Sequence, residues 1–193
     1  MDQPVIIYDY DEAWPAMYDA EVRAILNVIG DRVVAHEHVG STAVPGMAAK
    51  PIIDIMIGVR NIEEDGPACI KALESLGYQY LPEYEVSIPE RRFFRKRGPG
   101  GDITHHLHVV ETTTEFWDLH IVFRDYLRAH PEARQEYAEE KRRLARQFMF
   151  NRPAYQDGKT EVIRRIEARA LAERAAREQT ARPKPRRTRL RTS

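Results

Sequence analysis

The sequence predicts an α/β (α+β) fold, a mixed β-sheet core followed by a helical subdomain. Three observations carry this. Ile52–Val59 is a nearly continuous apolar run holding one acid, Asp54, as expected of a strand built for burial. Arg91–Arg97 and Ile103–Val110 flank Gly98-Pro99-Gly100-Gly101 and read as a hairpin. From residue 112 onward apolar residues recur at helical spacing. Helices on one side of a sheet, with a helical second wall behind, is the natural packing. One domain is expected over residues 1–178, with the sheet core at 1–111 and the helical part at 112–178. A basic, mobile tail is expected at 179–193.

In chain order, Val5–Tyr8 reads as a short edge strand or an extended lead-in. Asp11 is a fair N-cap for a helix whose apolar face is Trp14, Met17, Tyr18, Val22, Ile25, Leu26 and Ile29, ending at Gly30. Val33–Val39 is a strand with His36 and His38 on one face and Glu37 on the other. After the Asp54 strand, Asn61 caps a helix whose stripe is Ala68, Cys69, Ala72, Leu73 and Leu76. Tyr78–Pro89 reads as a short strand and a loop. On the hairpin, Arg92, Phe94 and Lys96 share one face; His106, His108 and Val110 share a face of the second arm. Thr113 or Thr114 caps a helix, Pro131 starts another, and Asn151-Arg152-Pro153 separates a third that ends near Glu178.

The net charge is zero but unevenly divided. Residues 182–193 hold six basic residues and no acid, leaving 24 basic against 30 acidic residues in 1–181. An acidic folded part argues against a broad nucleic-acid face; only the tail offers a weak one. The single Cys69 cannot form an internal disulfide. No signal peptide or membrane-length apolar run is present, so a cytoplasmic protein is expected. The sequence leaves the oligomeric state open.

The chemistry concentrates in His38–Val59. Gly40 and Ser41 follow a strand and open a turn whose free N–H groups and hydroxyl suit a phosphate. Lys50 adds a cation. Asp54 is an ionisable group in a greasy strand, costly there unless paired, bonded or bound to metal.

The order Gly-Ser, spacer, Asp-in-strand resembles the active-site signature of the nucleotidyltransferase superfamily. More closely, GSTAVPGMAAKPIIDIMIGV resembles the GrpB-like family, which is also found fused to dephospho-CoA kinases. RRFFRKR, THHLHVVE and FRDYLRAHPEARQEYAEEKRRLA fit that family too, and the likeness covers roughly residues 4–170. It implies a nucleotidyltransferase-type core, with Arg124, Asp125, Tyr137, Lys141, Tyr155 and Lys159 at family positions. On this reading Asp54 is the catalytic acid and holds a divalent metal. Gly40, Ser41, Lys50, Arg92, His106, His108, Lys141 and Lys159 surround a nucleotide or other phosphorylated ligand. The expected metal is Mg²⁺ or Mn²⁺. One departure stands out: active superfamily members carry a second acid two residues on, where this chain has Met56, whose thioether does not serve Mg²⁺. Glu37 or Glu111 are the candidate substitutes. Asp54, His106 and His108, with His38 as a further candidate, would suit Zn²⁺, Mn²⁺ or Fe²⁺ better than Mg²⁺. The histidines could equally contact phosphate or act as acid or base. No Gly-x-Ser-x-Gly elbow, P-loop or Gly-x-Gly-x-x-Gly motif occurs. The expected function is binding of a nucleotide or phosphorylated small molecule with transfer of a nucleotidyl or phosphoryl group, a metal-dependent nucleotidyltransferase. The alternative is a non-catalytic module binding a nucleotide or CoA-like ligand.

Overall fold

The computed structural model describes residues 4–181. Its helices are α1 (Trp14–Ile29), α2 (Ile62–Glu74), α3 (Glu115–Ala129), α4 (Pro131–Gln147), α5 (Arg152–Gly158) and α6 (Thr160–Ala181). Its strands are β1 (Val33–Val39), β2 (Ile53–Val59), β3 (Tyr78–Tyr80), β4 (Arg91–Arg97) and β5 (Ile103–Glu111). They form one mixed sheet in the order β1-β2-β5-β4-β3, in which only β2 and β5 run parallel. This is the predicted α+β architecture. The last helix continues through Ala181, past the expected stop near Glu178. The rest of the expected tail, residues 182–193, lies outside the described residues.

The alternation of β2 divides the molecule. Ile53, Ile55 and Ile57 are fully buried, with Leu107 and Val109 of β5 and Phe94 of β4, against Ile25 and Ile29 of α1 and Leu73 of α2. Each such side chain contributes about 1.5–3 kcal/mol by leaving water. Asp54, Met56 and Gly58 point the other way, registered against His106, His108 and Val110 of β5. Over that second face lies α3, whose Trp117 packs with Val39, Met56 and Val110. Gly58 permits the approach: a Cβ there would sit 3.1 Å from the Trp117 ring. A separate apolar cluster, including Val44, Met47, Tyr137 and Ile166, joins the segment after the Gly-Ser turn to α3, α4 and α6.

Local chemistry sets most boundaries. Asn61 accepts N–H bonds from Glu63 and Glu64, Thr114 from Trp117, and Asn151 from Ala154. Asp11 is not the cap of α1; Ala13 is, and Asp11 accepts the Ala13 N–H from outside the helix at 2.9 Å. Val5–Tyr8 is an extended lead-in joined to the core by a Tyr8–Ala49 bridge.

Candidate functional site

The site grows from the junction of β1 and β2. Their antiparallel register pairs Val39 with Asp54, which brings the next residue, Gly40, against the Asp54 side chain. Gly40 has φ of 70°, and a Cβ there would lie 2.9 Å from the Asp54 carboxyl carbon. Both the conformation and the closeness require glycine. The chain then makes a 3₁₀ turn over Ser41–Ala43 and returns at Ile52. Thr42 closes that excursion: its hydroxyl donates to the Ile52 carbonyl (3.2 Å) and accepts from His38 Nε2 (3.1 Å). His38 stacks on Tyr18 of α1, so it supports the turn from behind rather than joining Asp54. Burial presses its pKa down to about 4, and it is neutral at physiological pH.

Asp54 Oδ1 accepts from His106 Nδ1 at 2.9 Å. Burial opposes ionisation of Asp54, yet the His106 bond and the charges of His106, His108 and Lys50 prevail and hold its pKa below the usual carboxylate value. With Nδ1 engaged by Asp54, Nε2 is the ring nitrogen that remains for another partner.

Facing this pair are three lysines. Lys141 of α4 is 2% exposed and donates to Ser41 Oγ (2.9 Å) and the Ala48 carbonyl (2.5 Å), tying the helix to the turn. Lys50 and Lys159 both lie over the Tyr155 ring, at 5.4 and 4.8 Å from its centre. Lys141 lies 4.6 Å from the Tyr137 ring centre. The same device occurs twice: Tyr137–Lys141 and Tyr155–Lys159 are four residues apart, a spacing that brings side chains together on a helix. Among the described residues none of the three lysines has a carboxylate bridge. Burial, with the charges of Arg152 and Lys159, lowers the Lys50 pKa to about 7. Burial, with Arg152, lowers Lys159 to about 8. Burial, with Lys159, Arg142 and Lys50, holds Lys141 well below the usual lysine value. These groups border a cleft of about 170 Å³, with Gln156 also in its wall.

The structure therefore brings together Gly40, Ser41, Lys50, Asp54, His106, Lys141 and Lys159. It does not bring in Arg92 or His108. Arg92 is registered against Val109 and lies on the α2 side, where it meets Glu63 (3.0 Å), Glu85 (3.3 Å) and the Pro89 carbonyl (2.9 Å). His108 shares the face of His106, but one step further along β5 it is buried beside Phe93, Phe116 and His120. Arg124 and Asp125 also stand apart: Arg124 binds Glu37, the His38 carbonyl and Asp125 behind β1. A larger groove of about 330 Å³ runs between α3 and α6, but its acids are already bridged, Asp118 to Arg174 and Glu173 to Arg177. Thr42 and Gln156 escaped the sequence reading; neither carries a charge or motif that could have marked it.

The donor set does not fit a protein-held divalent metal. No group of three or more His, Cys, Asp and Glu side chains among the described residues is disposed to hold one. Asp54 is already bonded to His106, Met56 is buried in the second position, and three amines face the carboxylate. The expected Asp54–His106–His108 ligand set is not assembled. What the arrangement can do is hold an anion beside a carboxylate-oriented imidazole.

A family model described as GrpB protein matches residues 4–169. The chain is 42% identical over 173 residues to UPF0157 protein PA4798 of Pseudomonas aeruginosa, covering 89% of this chain and 69% of that one. It is 30% identical over 162 residues to a protein named dephospho-CoA kinase from Mycolicibacterium paratuberculosis, covering 72% of this chain and 39% of that longer one. The crystal structure of conserved protein GrpB from Enterococcus faecalis superposes with a TM-score of 0.79 at 33% identity, covering 88% of this chain and 99% of that one. No helix among the described residues is long and apolar enough to cross a membrane.

Proposed function

The chain belongs to the GrpB family, and we propose that its cleft binds the phosphate of a nucleotide or other phosphorylated small molecule. The observation that carries this is the grouping of Lys50, Lys141 and Lys159 around the Gly40-Ser41 turn without a carboxylate bridge. Three buried cations offset only by the one carboxylate of Asp54 are unfavourable, and the lowered lysine pKa values express that cost. A phosphate dianion adds negative charge and restores the protonated amines. Three ammonium groups, the Ser41 hydroxyl and the turn provide its hydrogen bonds.

The Asp54–His106 pair supports a second reading, transfer of a phosphoryl or nucleotidyl group. An imidazole held by a carboxylate can take the proton of an acceptor hydroxyl through Nε2 as the hydroxyl oxygen bonds to phosphorus, the bridging P–O bond of the donor breaks and the remaining phosphate group leaves with that electron pair. Met56 in place of a second acid favours the binding-module reading over metal-dependent transfer. A CoA-like ligand belongs to the same chemical class, since it also presents phosphates.

Thermal-shift titration with ADP and inorganic phosphate tests the binding reading. The wild type should be stabilised, and Lys50→Met and Lys159→Met should lose most of the shift. No shift in the wild type, or equal shifts in the variants, would sink it. Turnover of a nucleotide lost in His106→Gln, with ADP binding kept, marks the transfer reading.

A further inference from the structure

Resting on the lysine cleft as a phosphate site, we propose that Arg95 and Arg152, with Arg97 at the rim, form a second anion subsite. The ligand is then a nucleotide-type molecule carrying at least two phosphates. β4 and α5 each supply part of this subsite. Arg95 is registered directly against His106 and so lies on the cleft face of β4. Arg152 opens α5, three and four residues before Tyr155 and Gln156, which line the cleft, so helical spacing sets it on their side one turn away.

The electrostatics agree. Burial comes first in lowering the Arg152 pKa, and the charges of Arg95 and Arg97 add to it, while Tyr84 and Asp54 oppose. These groups therefore lie within electrostatic reach of one another. Among the described residues none of the three guanidiniums bridges a carboxylate. Arg95 reaches only the Gln79 side-chain carbonyl (3.0 Å), with its Nε buried and unpartnered, and Arg97 the Gly101 carbonyl (2.6 Å). On the same strand Arg92, which faces the other way, is bridged to Glu63 and Glu85. A guanidinium presents a planar fork that matches phosphate in two-point fashion, whereas lysine acts as a point charge. The lysine and arginine groups thus divide into an inner and an outer phosphate seat. Beside the outer one, Tyr84 is 45% exposed and packs on Phe93 (5.0 Å), which lies 5.4 Å from His106. That aromatic path gives a base or similar ring a surface to stack on.

The test is calorimetric titration of the full chain at pH 7.5 with AMP, ADP and adenosine 3′,5′-bisphosphate. In the wild type at least one two-phosphate ligand should bind about tenfold or more tighter than AMP, in keeping with charge-assisted bonds to the second phosphate. A preference for ADP means adjacent phosphates, and a preference for the bisphosphate means separated ones. Arg95→Gln should remove that preference and leave AMP affinity within about twofold, since Arg95 is not coupled to the inner lysines. Arg152→Gln should also remove the preference, and AMP affinity should hold or rise because Lys50 and Lys159 lose a neighbouring positive charge. Arg95→Lys should restore part of it, and unchanged far-UV circular dichroism melting of each variant excludes misfolding. Equal affinity for all three ligands in the wild type, or an equal loss for AMP and ADP in the variants, overturns the subsite and leaves the lysine cleft standing. Failure of the wild type to bind any of the three overturns the cleft reading itself.

Discussion

Replacing Lys50 by Met should change how stability depends on pH. The folded-state pKa of Lys50 is lowered from 10.5 to about 7, by burial first and then by Arg152 and Lys159. The sign follows from proton binding: between about pH 7 and 10.5 the unfolded chain holds a proton that the folded chain has released. Stability therefore rises with pH across that window, and the cost of Lys50 is complete below about pH 7. At 1.36 kcal/mol per unit the full shift would correspond to roughly 4–5 kcal/mol, and partial solvent screening reduces this to about 2 kcal/mol. Lys50→Met retains the aliphatic stem and removes the titration. Urea denaturation at pH 6.5, 7.5, 8.5 and 9.5 should show the variant gaining about 2 kcal/mol over the wild type at pH 6.5. Most of that gain should be gone by pH 9.5. The upper limit avoids the buried tyrosines, whose raised pKa values oppose stability only at higher pH. Parallel pH profiles for the two proteins would refute the argument, because Lys50 would then hold its proton equally in both states.

Gly40→Ala should destabilise the protein by about 1–3 kcal/mol, through the positive φ and the clash with Asp54, and should weaken ADP binding; chemical denaturation and titration check both. Gly58→Val should cost about 1–3 kcal/mol by forcing Trp117 of α3 off the sheet, seen as a lower melting temperature with a changed tryptophan emission. Asn61→Ala removes the side-chain acceptor for two N–H groups at the start of α2 and should cost about 1 kcal/mol in denaturant without touching ligand affinity.

The greasy β2 strand with its lone acid, the Gly-Ser corner and the hairpin were all legible because each is a local pattern. The meeting of Asp54 with His106 depends on the parallel β2–β5 register, which no local pattern carries. Three further features were not legible. Arg92 is the β4 cation expected at the ligand, yet parity within β4 shows which residues share a face but not which face meets the cleft. The register that pairs Arg95 with His106, with its irregularity at Lys96/Arg97, decides that. His108 was placed with His106 on correct parity, yet two residues along a strand is about 6.6 Å, enough to carry it beneath Phe116. Arg152 lay in a turn-like Asn-Arg-Pro sequence that marks a boundary, and its role depends on how α5 docks, a tertiary matter. Lys141 and Lys159 were expected at the site from family likeness alone. Their Tyr-x-x-x-Lys spacing was present in the sequence, but only the fold turns both pairs inward.

On the proposed reading the cleft is an anion site whose amines are short of protons until the anion arrives. Calorimetric titration of ADP in two buffers of different ionisation enthalpy, from pH 7.5 to 9.5, tests it most directly. Over that range a terminal phosphate, with its second pKa near 6, is already fully charged, so proton exchange reports on the protein. Binding should take up protons near pH 8 and weaken steadily toward pH 9.5, as Lys50 and Lys159 lose their charge. Heats independent of buffer, with affinity flat across the range, would contradict it.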